Sequence, residues 1–150
     1  MNDNINEYDG LKLENQLCFP LYAAARKIVS LYTPYLKKLG ITYTQYIAFM
    51  VLWEKKSVSV GELCERLFLD SGTVTPLVKK LEKDGYITRE RSKEDERVVM
   101  VRLTKKGEAL KDKAKSIPYT VGNCVPLEQK EDVQLYAILY QLLGRLETHE

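Results

Sequence analysis

Residues 58–106 read VSVGELCERLFLDSGTVTPLVKKLEKDGYITRERSKEDERVVMVRLTKK, and this stretch decides the fold. Ser59 precedes a short apolar-periodic run with Glu62 three places on, the pattern of a capping box that opens a helix over 60–67. Either Asp70 or Ser71 caps the next helix, and Gly85 ends it in the left-handed conformation that glycine adopts most readily. Residues 86–90 and 98–103 alternate as strands do, whereas 91–97 is too polar for anything but a hairpin tip. Thr104 caps the helix that follows. Two short helices, a turn and a charged hairpin in this order make a winged helix-turn-helix. The expected fold class is therefore mainly α with a small β-hairpin wing, plus a helical dimerisation region outside the motif.

Working outward, residues 15–39 carry Leu17, Leu21, Ala24, Ala25, Ile28, Leu31, Tyr32, Tyr35 and Leu39 at spacings of three and four, which predicts a long helix stopped by Gly40. Pro20 is harmless in a first turn, but Pro34 predicts a kink or break near Thr33. Thr42 or Thr44 caps a helix over 43–54 that is expected to bury Ile47, Phe49, Met50, Leu52 and Trp53. Beyond the hairpin a helix is expected to about Ser116. Two prolines and a glycine over 117–126 predict an interruption, and a last apolar helix covers 127–147.

The chain has 150 residues, 45% hydrophobic and 29% charged, with a formal net charge of +2. No apolar run reaches the roughly 18–20 residues that span a bilayer, and the first ten residues are polar, so a cytoplasmic setting without membrane contact is expected. Between Ser71 and Lys106 there are ten basic and six acidic side chains, which leaves the rest of the chain net acidic. The positive charge is concentrated in the motif, as double-stranded DNA requires.

The chemistry of the second motif helix fits base readout. Ser71, Thr73 and Thr75 offer hydroxyls to base edges or phosphates, and Val74, Pro76 and the threonine methyls can touch thymine methyls. Lys79, Lys80 and Lys83 would follow the backbone phosphates. In the hairpin, Arg89, Arg91 and Lys93 are phosphate candidates. Arg97 can be held by one of the acids Glu94, Asp95 or Glu96 while it reaches into a minor groove. The bland alternative is a solvated helix and a charged surface hairpin.

Residues 69–107, LDSGTVTPLVKKLEKDGYITRERSKEDERVVMVRLTKKG, resemble the most characteristic stretch of the multiple-antibiotic-resistance regulator family, including its D-x-R element at Asp95, Glu96 and Arg97. The similarity extends over about 17–146. It implies one domain over 1–150, with dimerisation helices at about 15–40 and 117–147 and a DNA-binding lobe at about 43–106. It also implies a homodimeric repressor on a pseudo-palindromic operator, with recognition helices about 34 Å apart. The apolar first and last helices independently call for a second copy to cover them.

Three cysteines, Cys18, Cys64 and Cys124, argue for reduced thiols rather than a disulfide framework. Cys64, between Leu63 and Leu67, reads as core. Cys18 lies near the start of the first helix, where the positive end of the helix dipole favours a thiolate. Position alone still favours a structural cysteine. The stretch over 17–46, LCFPLYAAARKIVSLYTPYLKKLGITYTQY, resembles the sensor region of the organic hydroperoxide resistance regulators, a branch of the same family. That resemblance implies that Cys18 reacts with organic hydroperoxides, that Tyr32 and Tyr43 hydrogen-bond it, and that its oxidation releases DNA. Cys18 and Tyr32 are 14 residues apart, about 21 Å along a straight helix, so their meeting requires two subunits. Phe19 and Tyr22 could add apolar walls. In some relatives a second, C-terminal cysteine traps the sulfenic acid, and others react with low-molecular-weight thiols. Cys124 lies in the right region for the resolving role, and a loop cysteine without function is the other reading.

Two rivals follow. One is a family member released by a phenolic or other aromatic small molecule. The other is a thiol peroxidase, for which the chain shows no cysteine motif, and its only histidine, His149, lies near the C-terminal end. No cluster has metal-ligand spacing, and no cofactor is expected.

Overall fold

The computed structural model describes residues 7–147; His149 lies outside them. Two 3₁₀ turns, Asp9–Leu11 and Leu13–Asn15, precede α1 (Cys18–Leu39), α2 (Tyr43–Lys55), β1 (Ser57–Ser59), α3 (Val60–Leu67), α4 (Ser71–Lys83), β2 (Ile87–Arg91), β3 (Val99–Leu103), α5 (Lys105–Ala114), α6 (Ile117–Gly122) and α7 (Gln129–Glu147). The chain forms two compact units, one up to Pro118 and one from Tyr119 onward.

The caps fall where the side chains dictate. The Thr42 hydroxyl accepts from the Gln45 N–H, and the Gln45 side chain accepts from the Thr42 N–H, a complete capping box. The Ser59 hydroxyl accepts from the Glu62 N–H at 3.0 Å, and Asp70 Oδ1 accepts from the Thr73 N–H at 2.9 Å. Gly40 and Gly85 take φ of 71° and 78°, where a side chain would be strained.

The three strands form one antiparallel sheet in the order β1-β3-β2, with Ile87 opposite Leu103, Arg91 opposite Val99, and Val58 opposite Val101. β1 was not legible in the sequence, because three residues between two helices carry no periodicity. Its pairing fastens the wing to the α2–α3 connection. The core of this unit joins Phe49 and Leu52 of α2, Leu63 of α3, Val74, Val78 and Leu81 of α4, and Ile87 and Val101 of the sheet. Each such side chain contributes roughly 1.5–3 kcal/mol through burial.

Several expectations need correction. The first helix begins at Cys18, not near Asn15, and it runs through Pro34 without a break. Ser30, whose carbonyl loses its partner at Pro34, and Pro34 itself are both exposed, so water can serve that carbonyl. Met50 is 44% exposed, because the buried face of α2 is instead Tyr46, Phe49 and Leu52, with Ala48 and Val51. Cys64 is half-buried. Part of 117–126 is helical as α6, since Pro118 falls in its first turn, where its missing N–H costs no bond.

Lys56 ends α2 with φ of 63° and ψ of −34°, a conformation strained for any residue with a Cβ. Its side chain is exposed. Lys56→Gly is therefore expected to stabilise the fold by about 1 kcal/mol in urea denaturation, since it relieves that strain at no packing cost.

Candidate functional site

The candidate nucleic-acid face is built by α4 and the wing. Ser71, Thr73 and Pro76 are exposed on the first turns of α4, and Thr75 is half-buried. The Thr73 hydroxyl donates to Asp70 Oδ2 at 3.1 Å, which fixes its rotamer and leaves its lone pairs as acceptors. The Thr73 N–H, followed by this hydroxyl, holds the Asp70 carboxyl below its ordinary range. Val74 is fully buried and leaves the interface: with Val78 and Leu81 it forms the i, i+4, i+7 stripe that seats α4 on the core. Lys79 is exposed. Lys80 is exposed too and pairs with Asp84 one turn on at 2.9 Å.

In the wing, Arg97 binds Asp95 through two parallel bonds of 3.1 Å, and its N–H adds a third to the same carboxylate at 3.0 Å. The Arg97 side chain nevertheless remains 92% exposed. It is a cation presented outward in a fixed orientation, as minor-groove insertion needs, and Arg97 holds the Asp95 carboxyl below its ordinary range. Arg91 Nη1 donates to the Glu96 carbonyl at 2.6 Å, which staples the hairpin. Lys93 is exposed at the tip. Glu82 of α4 takes the Arg89 guanidinium at 2.6–2.8 Å and the Arg89 N–H at 3.3 Å, so Arg89 also ties the wing to α4. Gly61, Thr75, Arg89 and Arg97 line a groove of about 370 Å³ between α3, α4 and the wing.

The second site concerns the thiol. Cys18 is the first residue of α1 and is exposed. Tyr32 and Tyr43, from α1 and α2, come together with ring centroids 5.0 Å apart. A third tyrosine, Tyr46, completes the cluster at 5.7 Å from Tyr32 and 6.3 Å from Tyr43. It could have been found in the sequence, since Tyr43 and Tyr46 are three apart on one helical face. Burial raises all three hydroxyls above the ordinary tyrosine value, Tyr46 to about 12 with further contributions from Tyr32 and Tyr43. They stay neutral donors at ordinary pH, which is the form that can hydrogen-bond a thiolate. Cys124, just beyond α6, is also exposed, with its thiol 3.3 Å from the Thr120 carbonyl.

An apolar cavity of about 270 Å³ lies beside Tyr46, Met50 and Trp53, with Lys111 and Lys115 at its rim. Among the described residues no helix is long and apolar enough to cross a membrane.

Comparisons with known proteins place the chain among transcriptional regulators. The family model for the transcriptional regulators SarA/Rot matches residues 30–114. The organic hydroperoxide resistance transcriptional regulator of Bacillus subtilis (strain 168) is 48% identical over 141 residues, covering 94% of this chain and 96% of that protein. Reduced AbfR bound to DNA is 32% identical with a TM-score of 0.76, over 92% of this chain and 94% of that one. AbfR, from Staphylococcus epidermidis, is known also in an overoxidised state bound to DNA and in a disulfide-formed state. MarR of Escherichia coli, as a mutant complexed with operator DNA, shares the fold at 24% identity and a TM-score of 0.76, over 85% of this chain and 93% of that one. These relatives are transcriptional regulators, not enzymes, which removes the thiol peroxidase reading.

Proposed function

The chain belongs to the organic hydroperoxide resistance branch of the MarR family of winged-helix transcriptional regulators, and on that premise we propose that its reduced homodimer represses transcription from a pseudo-palindromic operator and lets go when an organic hydroperoxide oxidises Cys18. The observation that carries the reading is the meeting of Tyr32 and Tyr43 at 5.0 Å, with an exposed Cys18 opening the same helix that supplies Tyr32.

Dimerisation is supported by apolar surface. No residue of α7 is buried, and Val133, Tyr136, Ile138 and Leu146 are each more than half exposed. Leu17, Phe19, Leu21 and Tyr22 at the start of α1 are exposed as well. The 14 residues between Cys18 and Tyr32 span about 21 Å of unbroken helix. Antiparallel pairing of two α1 helices would bring Tyr32 of the partner subunit toward Cys18. The organisation follows: dimerisation regions at about 15–40 and 117–147, containing α1, α6 and α7, and a DNA-binding lobe over about 43–106.

In the first chemical step the Cys18 thiolate attacks the terminal peroxide oxygen. The S–O bond forms as the O–O bond breaks, and the leaving alkoxide takes a proton to become an alcohol. A second thiol then attacks the sulfenic acid, giving a disulfide and water. Cys124 or a low-molecular-weight thiol supplies it. Overoxidised AbfR is found on DNA, so we assign release to this disulfide step rather than to oxygen on sulfur alone. The disulfide displaces helices at the dimer interface and changes the spacing of the two lobes, the bistable element of the switch.

The test is fluorescence anisotropy of a labelled upstream DNA fragment on the reduced protein, with one equivalent of tert-butyl hydroperoxide added. Release reversed by dithiothreitol is expected. Persistent binding with Cys18 converted to the disulfide, by Cys124 or by one equivalent of added free cysteine, would overturn the reading in favour of an aromatic small molecule in the cavity beside Tyr46, Met50 and Trp53. On the DNA side, Ser71, Thr73, Thr75 and Pro76 read the major groove, Lys79, Lys80, Arg91 and Lys93 meet phosphates, and Arg97 enters the minor groove. Arg97→Ala is expected to weaken operator binding roughly tenfold or more with Cys18 reactivity unchanged. Unaltered affinity in the same assay would take Arg97 out of the interface.

A further inference from the structure

We propose that Trp53 is a positioning residue that carries the state of the tyrosine cluster to the joint between the recognition helix and the wing; this rests on the redox reading above. Trp53 takes no part in the chemistry at Cys18, and it is not among the residues assigned to DNA. Its place in the packing is what singles it out.

The cluster of Tyr32, Tyr43 and Tyr46 continues through an edge contact of Tyr46 with Trp53 at 6.3 Å. Trp53 stacks on Phe49 at 5.4 Å, and Phe49 meets Tyr86 edge-on at 5.3 Å. Tyr86 sits where α4 ends and the wing begins. Its N–H donates to the Leu81 carbonyl at 3.0 Å, and its carbonyl accepts from the Thr104 N–H at 3.0 Å. Lys106 covers its ring at 4.4 Å.

Trp53 also reaches this joint by a second route. Its indole N–H donates to the Gly107 carbonyl at 3.0 Å. Gly107 in turn lies against Tyr86, so close that a Cβ there would stand 2.3 Å from the Tyr86 carbonyl oxygen. Both routes from Trp53 therefore end on Tyr86. Tyr46 and Phe49 are 2% and 0% exposed, and rings packed this densely shift together rather than yield singly. A tyrosine cluster that reorganises when Cys18 is oxidised would move the indole, and the indole would move the base of the wing.

Ordinary core packing would use the same contacts for stability alone, so the test must read coupling. Trp53 is the only tryptophan of the chain, which makes its emission a direct probe in the unmodified protein. One equivalent of tert-butyl hydroperoxide is expected to shift that emission without DNA present, and to leave it unmoved in Cys18→Ser. Trp53→Phe keeps an aromatic ring and removes the N–H to Gly107. It should be sulfenylated at Cys18 at the unmodified rate and hold operator, when reduced, within about threefold of the unmodified affinity. Its loss of affinity on oxidation should shrink by about tenfold or more. Tyr86→Leu, cut from the half-exposed end of the path, should uncouple in the same way should Trp53→Phe fail to fold.

Oxidised Trp53→Phe, or Tyr86→Leu in its place, leaving operator as fully as the unmodified chain would overturn the proposal alone. So would unmoved Trp53 emission while oxidation releases DNA. An unmodified chain that stays on DNA with Cys18 oxidised to the disulfide would remove the redox reading and this inference with it.

Discussion

Cys18→Ser is expected to bind operator with the affinity of the reduced unmodified chain and to stay bound when an organic hydroperoxide is added. Serine keeps the size of the side chain and can accept the same tyrosine hydrogen bonds, while its hydroxyl is no nucleophile toward a peroxide at neutral pH. Cys18 is exposed on the first turn of α1 and outside the core around Phe49, so the change costs no buried packing. The affinity difference between reduced and oxidised states, put at tenfold or more for a working switch, should fall to none. Anisotropy with and without tert-butyl hydroperoxide measures both quantities. Full release of Cys18→Ser by peroxide would move the sensor elsewhere, with Cys64 and Cys124 as the remaining thiols to test.

The second large effect concerns stability. Gly107→Ala is expected to destabilise the fold by about 3 kcal/mol or more, roughly 10 °C in melting temperature, against a total of about 5–15 kcal/mol for an ordinary domain. The new Cβ would stand 2.3 Å from the Tyr86 carbonyl oxygen and 2.8 Å from a Leu103 methyl. The methyl can turn aside, but the carbonyl cannot, because it already accepts from the Thr104 N–H. α5 would have to lift away from the wing, and Trp53 would lose its acceptor. Gly61→Ala is the matched control: its Cβ meets only the Ser59 hydroxyl at 3.7 Å, an ordinary contact. It should change stability by no more than about 0.5 kcal/mol. Equal thermal melts for the two variants would show that the close approach at Gly107 is not limiting.

Much of this molecule is readable in one dimension because its signals are local. A cap such as Asp70 acts three residues away, Gly85 sets its own φ, and the alternation of β2 and β3 needs only neighbours. The D-x-R element is local as well, and the structure holds Arg97 on Asp95, one of the acids expected from the sequence. Local signals also misled. Pro34 predicted an interruption that the surrounding helix overrides. Val74 had the chemistry of a thymine contact, but the stripe it shares with Val78 and Leu81 turns it inward.

The sequence by itself determined the winged helix-turn-helix and the family, and it nominated the residues of both candidate sites, since each depends on spacings of a few residues. Only the tertiary structure decided which of those residues face outward and which are already engaged. Arg89 is committed to Glu82 seven residues away, Tyr46 joins a cluster drawn from two helices, and Trp53 meets a carbonyl 54 residues downstream. Contacts that cross elements follow from how helices and strands pack around a shared core, and no local pattern encodes that geometry.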